Sequence, residues 1–267
     1  MSHQISFETT TSADGTEVGY LRRGTGPALV ITHGSLESSA NWVPATEHLA
    51  EHFTCLVHDR RGRGRSGDDG AYDLSTEVAD IAALIAVAGS GAHLLGHSYG
   101  ALCALAYVEE HGLDGTLVPF EPPLPIGGPV AGDALPGYRA LIAAEDLDGA
   151  TAYGLVHFVR MPPEGVDFMR QTPVWPSLVA LSPTWVRELE QIDALGDDLT
   201  HYSAISASTH VLVGTATTPL LRASADALVE VIPQASLTEL PGMDHVAHAV
   251  NPVAFSAAVQ AAVTDAG

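Results

Sequence analysis

The chain contains no lysine, and its 11 basic residues, all arginine, stand against 32 acidic residues in a total of 267. The formal net charge is therefore −21 with neutral histidines. Nucleic acids and anionic membranes are bound by clustered cations that displace counterions, so this charge balance argues against both as partners. A phosphate-binding loop that ends in Gly-Lys-Ser/Thr is excluded because it needs a lysine.

Cysteine is scarce as well. Cys55 and Cys103 each lie inside an apolar run, so we expect two buried free thiols and no disulfide framework. Residues 1–10 have neither the basic nor the apolar stretch of a leader, and the longest apolar run, residues 81–88, is far shorter than a membrane span. We therefore expect a cytoplasmic protein.

Short apolar segments alternate along the chain with longer amphipathic ones, which is typical of helices covering both faces of a mostly parallel sheet. The apolar fraction of 46% is enough for a sizeable core. The pattern predicts an α/β fold. Strands are expected at 5–10, 17–22, 28–33, 54–59, 92–97, 115–121, 209–214 and 236–241. Helices are expected at 80–88 (with Ser75 and Glu77 as cap and first turn), from 101 past 108, and at 220–231 and 253–263.

Residues 122–208 break this alternation, because the stretch is poor in strands and interrupted by prolines. We predict a helical cap inserted after the sixth strand, over an active-site cleft, with the core formed by residues 1–121 and 209–267. Trp175 and Trp185 could line a substrate pocket, but packing in the cap's own core is the commoner role. Neither a repeat nor a flexible linker divides the chain, so we expect one folding unit.

The strongest chemical signal is Gly96-His97-Ser98-Tyr99-Gly100, which follows a predicted strand and precedes a helix rich in small residues. In a nucleophile elbow the serine occupies a sharp, strained turn, and the glycines allow the strand and helix to approach it. Both contextual demands are met here. The sequence therefore predicts a nucleophilic Ser98, the alternative being a tight turn with an inert serine.

Together with three other motifs, this elbow resembles the α/β-hydrolase family over nearly the whole chain. These motifs follow one another in the family's order: Thr32-His33-Gly34-Ser35, the arginine-rich segment 59–66, and Gly242-Met243-Asp244-His245. The resemblance implies an eight-stranded sheet, a cap after the sixth strand, and a catalytic triad of serine, acid and histidine.

A serine hydroxyl needs an imidazole to take its proton and return it to the leaving group. The resemblance favours His245, which follows the last strand, over His248 three residues later. His33, His93 and His97 are interpreted as structural.

The family's usual acid after the seventh strand is missing, since segment 213–219 contains no carboxylate. A minority of the family takes the acid from the end of the sixth strand, where this chain has Glu121. Asp244 is a weaker choice, and Glu121 could instead be a structural residue at the hinge of the cap.

Acyl transfer develops negative charge on a carbonyl oxygen, and backbone N–H donors stabilise it. The backbone N–H groups of Tyr99 and Ser35 are the expected oxyanion hole, and the Ser35 hydroxyl could contribute.

Two further patterns are discounted. Segment 62–67 matches the dinucleotide fingerprint but does not open a helix, so its arginines are expected to tie the loop to carboxylates, Asp59 among them, and to carbonyls. His245 and His248 have a metal-like spacing, but no third ligand at usable spacing accompanies them, and both cysteines lie in apolar runs. We therefore expect no cofactor and no metal.

We predict a serine hydrolase that cleaves an ester, thioester or lactone of a neutral to moderately apolar small molecule, as a monomer or homodimer. Two alternatives remain open at this point. One is a non-hydrolytic enzyme of the same fold (C–C cleavage, lyase or cyclase chemistry) using the same serine and histidine. The other is a ligand-binding protein with vestigial turnover.

Overall fold

The computed structural model describes residues 3–264, in which one eight-stranded sheet forms the centre of the molecule. Its strands are β1 (Ser6–Thr11), β2 (Glu17–Arg23), β3 (Ala28–Thr32), β4 (Thr54–His58), β5 (His93–His97), β6 (Leu117–Phe120), β7 (Thr209–Gly214) and β8 (Ala235–Leu240). The spatial order is β1-β2-β4-β3-β5-β6-β7-β8. The pairs β1–β2 and β2–β4 are antiparallel, and all other pairs are parallel. The predicted α/β class and eight-stranded sheet are confirmed.

Helices lie on both faces of this sheet. They are α1 (Val43–Leu49), α2 (Leu74–Ala88), α3 (Tyr99–His111), α4 (Leu135–Ala143), α5 (Leu147–His157), α6 (Pro163–Arg170), α7 (Trp175–Ala194), α8 (Pro219–Val231), α9 (Ala247–Val250) and α10 (Pro252–Thr264). Side chains along a strand alternate between faces, so Val30 joins one buried apolar cluster while Leu29 and Ile31 join the other. This double burial explains why the central strands are continuous apolar runs.

Segment 122–208 contains α4 to α7 with short 3-10 turns, and no strand among its residues. Trp185 packs edge-on against Tyr138 and Phe158, while the Trp175 ring nitrogen donates to Asp148 Oδ1 at 2.7 Å. Both tryptophans are therefore part of the packing of this segment, which contacts the core through α7 and α3.

The sequence analysis missed two helices, α1 and the single turn α9, because each is too short to show a strong periodicity.

The start of α2 also differs from expectation. Its N-cap is Asp73, whose side chain accepts from the Thr76 backbone N–H at 2.9 Å, and Ser75 lies inside the helix. An aspartate at this position satisfies a backbone donor that otherwise lacks a partner.

Cys55 and Cys103 are both free and buried, as expected, and burial raises the pKa of the Cys55 thiol to about 12. Within residues 3–264, no helix combines the length and apolar character needed to cross a bilayer.

Candidate active site

Ser98 occupies the sharp turn between β5 and α3, with a positive φ of 53° and ψ of −125°. A residue other than glycine is strained in this backbone conformation, and such strain is typical of functional positions. The glycines on either side are required by the packing: a Cβ on Gly96 would lie 2.5 Å from Ala101 Cα, and one on Gly100 would lie 2.3 Å from the Thr32 carbonyl oxygen. The chain thus forms the strand–turn–helix geometry of a nucleophile elbow.

Glu121 follows β6, the sheet neighbour of β5, and also has a positive φ, of 50°. Its fully buried carboxylate accepts from His245 Nδ1 at 2.7 Å through Oε2 and from the Gly214 backbone N–H at 2.8 Å through Oε1. Burial raises the pKa of this carboxyl, but the hydrogen bonds and charge of its partners outweigh burial and lower it overall. Glu121 is therefore an ionised acceptor for His245.

The other histidines and acids considered from the sequence lie differently. Asp244 is exposed, and its Oδ1 accepts from the Val246 backbone N–H at 3.1 Å. His248 is buried on α9, where it stacks on Trp42 with ring centroids 4.4 Å apart. The Glu121–His245 hydrogen bond therefore involves neither Asp244 nor His248.

His245 is held beside the elbow through the residue that precedes the serine. His97 Nε2 donates to the His245 carbonyl oxygen at 2.8 Å, and the two rings lie 4.6 Å apart between centroids. No hydrogen bond joins Ser98 directly to His245 among residues 3–264. Hydrogen bonds of this kind are often loose without substrate and tighten when it binds.

The expected oxyanion donors border the same elbow. Tyr99 is the first residue of α3, where backbone N–H groups have no partner within the helix. Ser35 follows Gly34, whose added Cβ would lie 2.9 Å from Ser98 Cβ. The Ser35 hydroxyl oxygen is buried and has no hydrogen-bond partner in the described chain. Donors without acceptors thus lie next to the candidate nucleophile.

Comparison with known proteins identifies the family of this chain. The model of the alpha/beta hydrolase family matches residues 29–258. The chain belongs to this family. A solved structure of an alpha/beta hydrolase from Sphaerobacter thermophilus superposes with a TM-score of 0.85 at 33% identity, covering 94% of this chain and 98% of that one.

Two further relatives carry names with an activity. An esterase from Rhodococcus superposes with a TM-score of 0.77 at 26% identity, over 98% of this chain and 100% of that one. A non-heme haloperoxidase of Rhodococcus erythropolis is 32% identical over 165 residues, which is 54% of this chain and 59% of that protein. The match thus spans less than two thirds of this curated relative.

In this alpha/beta hydrolase, two buried arginines join segment 122–208 to the core. The Arg60 guanidinium contacts both Glu77 on α2 and Glu188 on α7, and Arg63 also contacts Glu188. Arg60 lies over the Tyr99 ring at 4.6 Å and donates to the Gly34 carbonyl oxygen at 3.1 Å. It therefore ties the two segments that carry the expected oxyanion donors to each other.

The expectation that the loop arginines bind carboxylates holds for Arg60, Arg61 and Arg63. The prediction that Asp59 is one of these carboxylates is wrong. Asp59 instead accepts from the backbone N–H groups of Ser39 at 2.8 Å and Arg65 at 3.1 Å. Its carboxylate lies against the turn itself and accepts from backbone donors there, while the buried guanidinium groups of Arg60, Arg61 and Arg63 pair with Glu77, Asp80 and Glu188.

Glu37, His97 and His248 form a buried cluster that the sequence analysis missed, since no local spacing connects them. Their ligand-type atoms all lie within 4.8 Å of one another, so the three residues could hold a metal ion.

Two surface cavities of about 370 Å³ each lie elsewhere, one bordered by His93 and Ser206 and one by Thr11 and His111. The chemistry described above, and not a large cavity, identifies the candidate site.

Proposed function

We propose that this alpha/beta hydrolase is a serine hydrolase in which Ser98, His245 and Glu121 form the catalytic triad. The observation that carries the proposal is the 2.7 Å hydrogen bond between His245 Nδ1 and the buried Glu121 carboxylate. An ionised carboxylate only accepts, so Nδ1 carries a proton, and in the neutral ring Nε2 then has a free lone pair. That lone pair is the base that the Ser98 hydroxyl requires.

The reaction follows from these roles. Ser98 Oγ attacks the carbonyl carbon of the substrate while His245 Nε2 takes the hydroxyl proton. The backbone N–H groups of Tyr99 and Ser35 stabilise the resulting oxyanion, each worth roughly 3–4 kcal/mol in sites of this type. His245 returns the proton to the leaving group, and water then hydrolyses the acyl-enzyme by the same steps in reverse.

The proposed substrate is an ester, thioester or lactone of a neutral to moderately apolar small molecule. Arg60 approaches the site closely, but its charge is already matched by Glu77 and Glu188. Arg60 therefore provides no unpaired positive charge that would bind an anionic substrate. The similarity to the Rhodococcus esterase also favours an ester. We further propose that segment 122–208 acts as the cap over this site.

A fluorophosphonate probe tests the proposal, because it reacts only with an activated serine. The wild-type protein should be labelled at Ser98, Ser98→Ala should not be labelled, and His245→Ala should be labelled far more slowly. Peptide mapping by mass spectrometry must find the label on Ser98 and not on Ser35. An unlabelled wild-type protein that is correctly folded would instead support a binding or non-covalent role. Aryl esters of increasing acyl length then measure the depth of the acyl site.

A further inference from the structure

Glu37 is a buried carboxylate held between the rings of two histidines. Its Oε2 accepts from the Gly34 backbone N–H at 2.9 Å and lies 3.1 Å from His97 Nδ1, and its Oε1 lies 2.9 Å from His248 Nε2. The Trp42 ring nitrogen adds a longer contact to Oε2 at 3.4 Å. An oxygen surrounded by N–H donors in this way acts as an acceptor.

The two ring nitrogens of His97 both face acceptors. Nε2 lies 2.8 Å from the His245 carbonyl oxygen, which can only accept, so Nε2 carries a proton. Nδ1 faces Glu37 Oε2, which already accepts from Gly34. A neutral imidazole has one N–H, whereas this arrangement uses two.

We propose that His97 is an imidazolium, paired with the Glu37 carboxylate, and that it positions His245 by holding the carbonyl oxygen of that residue. Burial raises the pKa of Glu37, but the charges and hydrogen bonds of His97 and His248 lower it to well below its usual range. Such a pKa is consistent with an ionised partner. His245 and His248 are the other titratable side chains whose rings contact the His97 ring.

The role of His97 rests on the proposed function, since it acts through the base His245 and touches no reacting atom. His97 precedes Ser98 on β5, so its hydrogen bond joins the strand carrying the nucleophile to the loop carrying the base. Displacement of a catalytic group by about 1 Å can cost roughly 100-fold in rate. His97 is therefore a positioning residue for the triad.

A metal ion on Glu37, His97 and His248 is the competing explanation for the same cluster. Glu37 Oε2 and His97 Nδ1 form a hydrogen bond at 3.1 Å, and a proton accounts for this contact without an ion. His248 Nε2 lies 2.9 Å from Glu37 Oε1 but forms no aligned hydrogen bond with any group in residues 3–264. The test therefore includes a metal arm.

The protonation state is read by ¹⁵N NMR of the full chain with labelled histidine. We expect both His97 ring nitrogens to give protonated-type signals at pH 7, unchanged by EDTA or by added Zn²⁺. In Glu37→Gln, one of them should change to the unprotonated type. A neutral His97 ring in the wild-type protein, or signals that respond to EDTA, would overturn the proposal.

Two substitutions of His97 separate positioning from packing. A glutamine amide can reach the place of Nε2, whereas an asparagine amide reaches only the place of Nδ1. In His97→Asn, kcat for an aryl ester and the rate of fluorophosphonate labelling should fall roughly 100-fold with little change in KM. His97→Gln should recover most of this loss, and His93→Asn, on the same strand, is the matched control.

The ¹³C shift of the His245 carbonyl gives a readout that does not depend on activity. It should move in His97→Asn and stay near the wild-type value in His97→Gln. Equal carbonyl shifts and equal activity losses in these two folded variants contradict a positioning role. If the wild-type protein hydrolyses no ester and takes no label, the proposed function fails, and the NMR signals still decide the assignment of His97.

Discussion

Glu121 and His245 are separated by 124 positions in the chain, yet their side chains meet at 2.7 Å. Gly214, at the end of β7, donates its backbone N–H to the other carboxylate oxygen at 2.8 Å. The end of β7, after which most family members place the acid, therefore supplies a backbone donor to Glu121. In the proposed triad, Glu121 takes the role of that acid, and segment 213–219 contains no carboxylate.

Replacement of Glu121 by glutamine should lower kcat by about four orders of magnitude, as expected when the histidine loses its orienting carboxylate. The amide is nearly the same size, so the fold should be retained in circular dichroism and thermal unfolding. Steady-state hydrolysis of an aryl ester measures the effect. Asp244→Asn, one residue before His245, is the control and should retain near-normal turnover. Near-normal turnover of Glu121→Gln would remove Glu121 from the triad.

Gly34→Ala should impair activity more than stability. The new Cβ would lie 2.9 Å from Ser98 Cβ and 3.1 Å from His97 Nδ1, so the nucleophile must shift. We expect kcat to fall roughly 100-fold. In Gly112→Ala, the new Cβ meets nothing within 4 Å, but φ is 70° and ψ is 178°, a region almost restricted to glycine, so stability should fall by about 1–3 kcal/mol with kcat unchanged. Unaltered kcat in Gly34→Ala would show that the turn has room to adapt.

Glu188→Gln should destabilise the protein by about 3–5 kcal/mol, because two buried arginines lose part of their compensating charge. Chemical denaturation provides the free energy of unfolding. Glu190 on the same helix is the matched control: its pair with Arg139 is exposed, with side-chain accessibilities of 38% and 52%. Glu190→Gln should cost only about 0–1 kcal/mol. Similar losses in the two variants would contradict a special role for the buried pair.

The stability contributed by Glu77 should depend on pH. Burial is the largest single influence and raises the pKa of this carboxyl, but the charge and hydrogen bond of Arg60, together with the charges of His58 and Arg63, outweigh it, so the folded pKa lies well below the ordinary 4.5. A depressed pKa means that the contribution is complete above the unfolded value and is lost as the pH falls towards the folded one. The difference in unfolding free energy between the wild-type protein and Glu77→Gln should therefore be constant near pH 7 and shrink below about pH 4.5.

The control for this measurement is Glu47→Gln, which changes an exposed carboxylate on α1. Its difference from the wild-type protein should stay small at every pH. A wild-type advantage over Glu77→Gln that grows as the pH falls would contradict the assigned direction of the shift.

The strands and the elbow around Ser98 could be predicted from the sequence because their determinants are local. Apolar runs bounded by glycine or proline mark the strands, and small residues after the turn mark α3. Glu121 was found by resemblance to a minority pattern, and its catalytic role stays a prediction that the observed contact supports.

The Glu37–His97–His248 cluster could not be predicted, because its members come from three distant segments and share no spacing. The partners of Asp59 were missed for a related reason. An aspartate beside four arginines suggests ion pairs, but the direction of each side chain is set by the turn, which offers backbone N–H groups to Asp59 instead. Tertiary geometry determines such choices, and a sequence pattern does not contain it.

β5 and β6 are hydrogen-bonded neighbours, and Ser98 and Glu121 each follow the last residue of one of them; the Ser98 backbone N–H donates to the Phe120 carbonyl oxygen at 2.9 Å. Two of the three proposed catalytic groups thus share one rigid ladder, and only the histidine arrives on a loop. Slow local opening of this protein should then withdraw the proposed base His245 while Ser98 and Glu121 stay in register, so loss of activity should precede unfolding of the sheet.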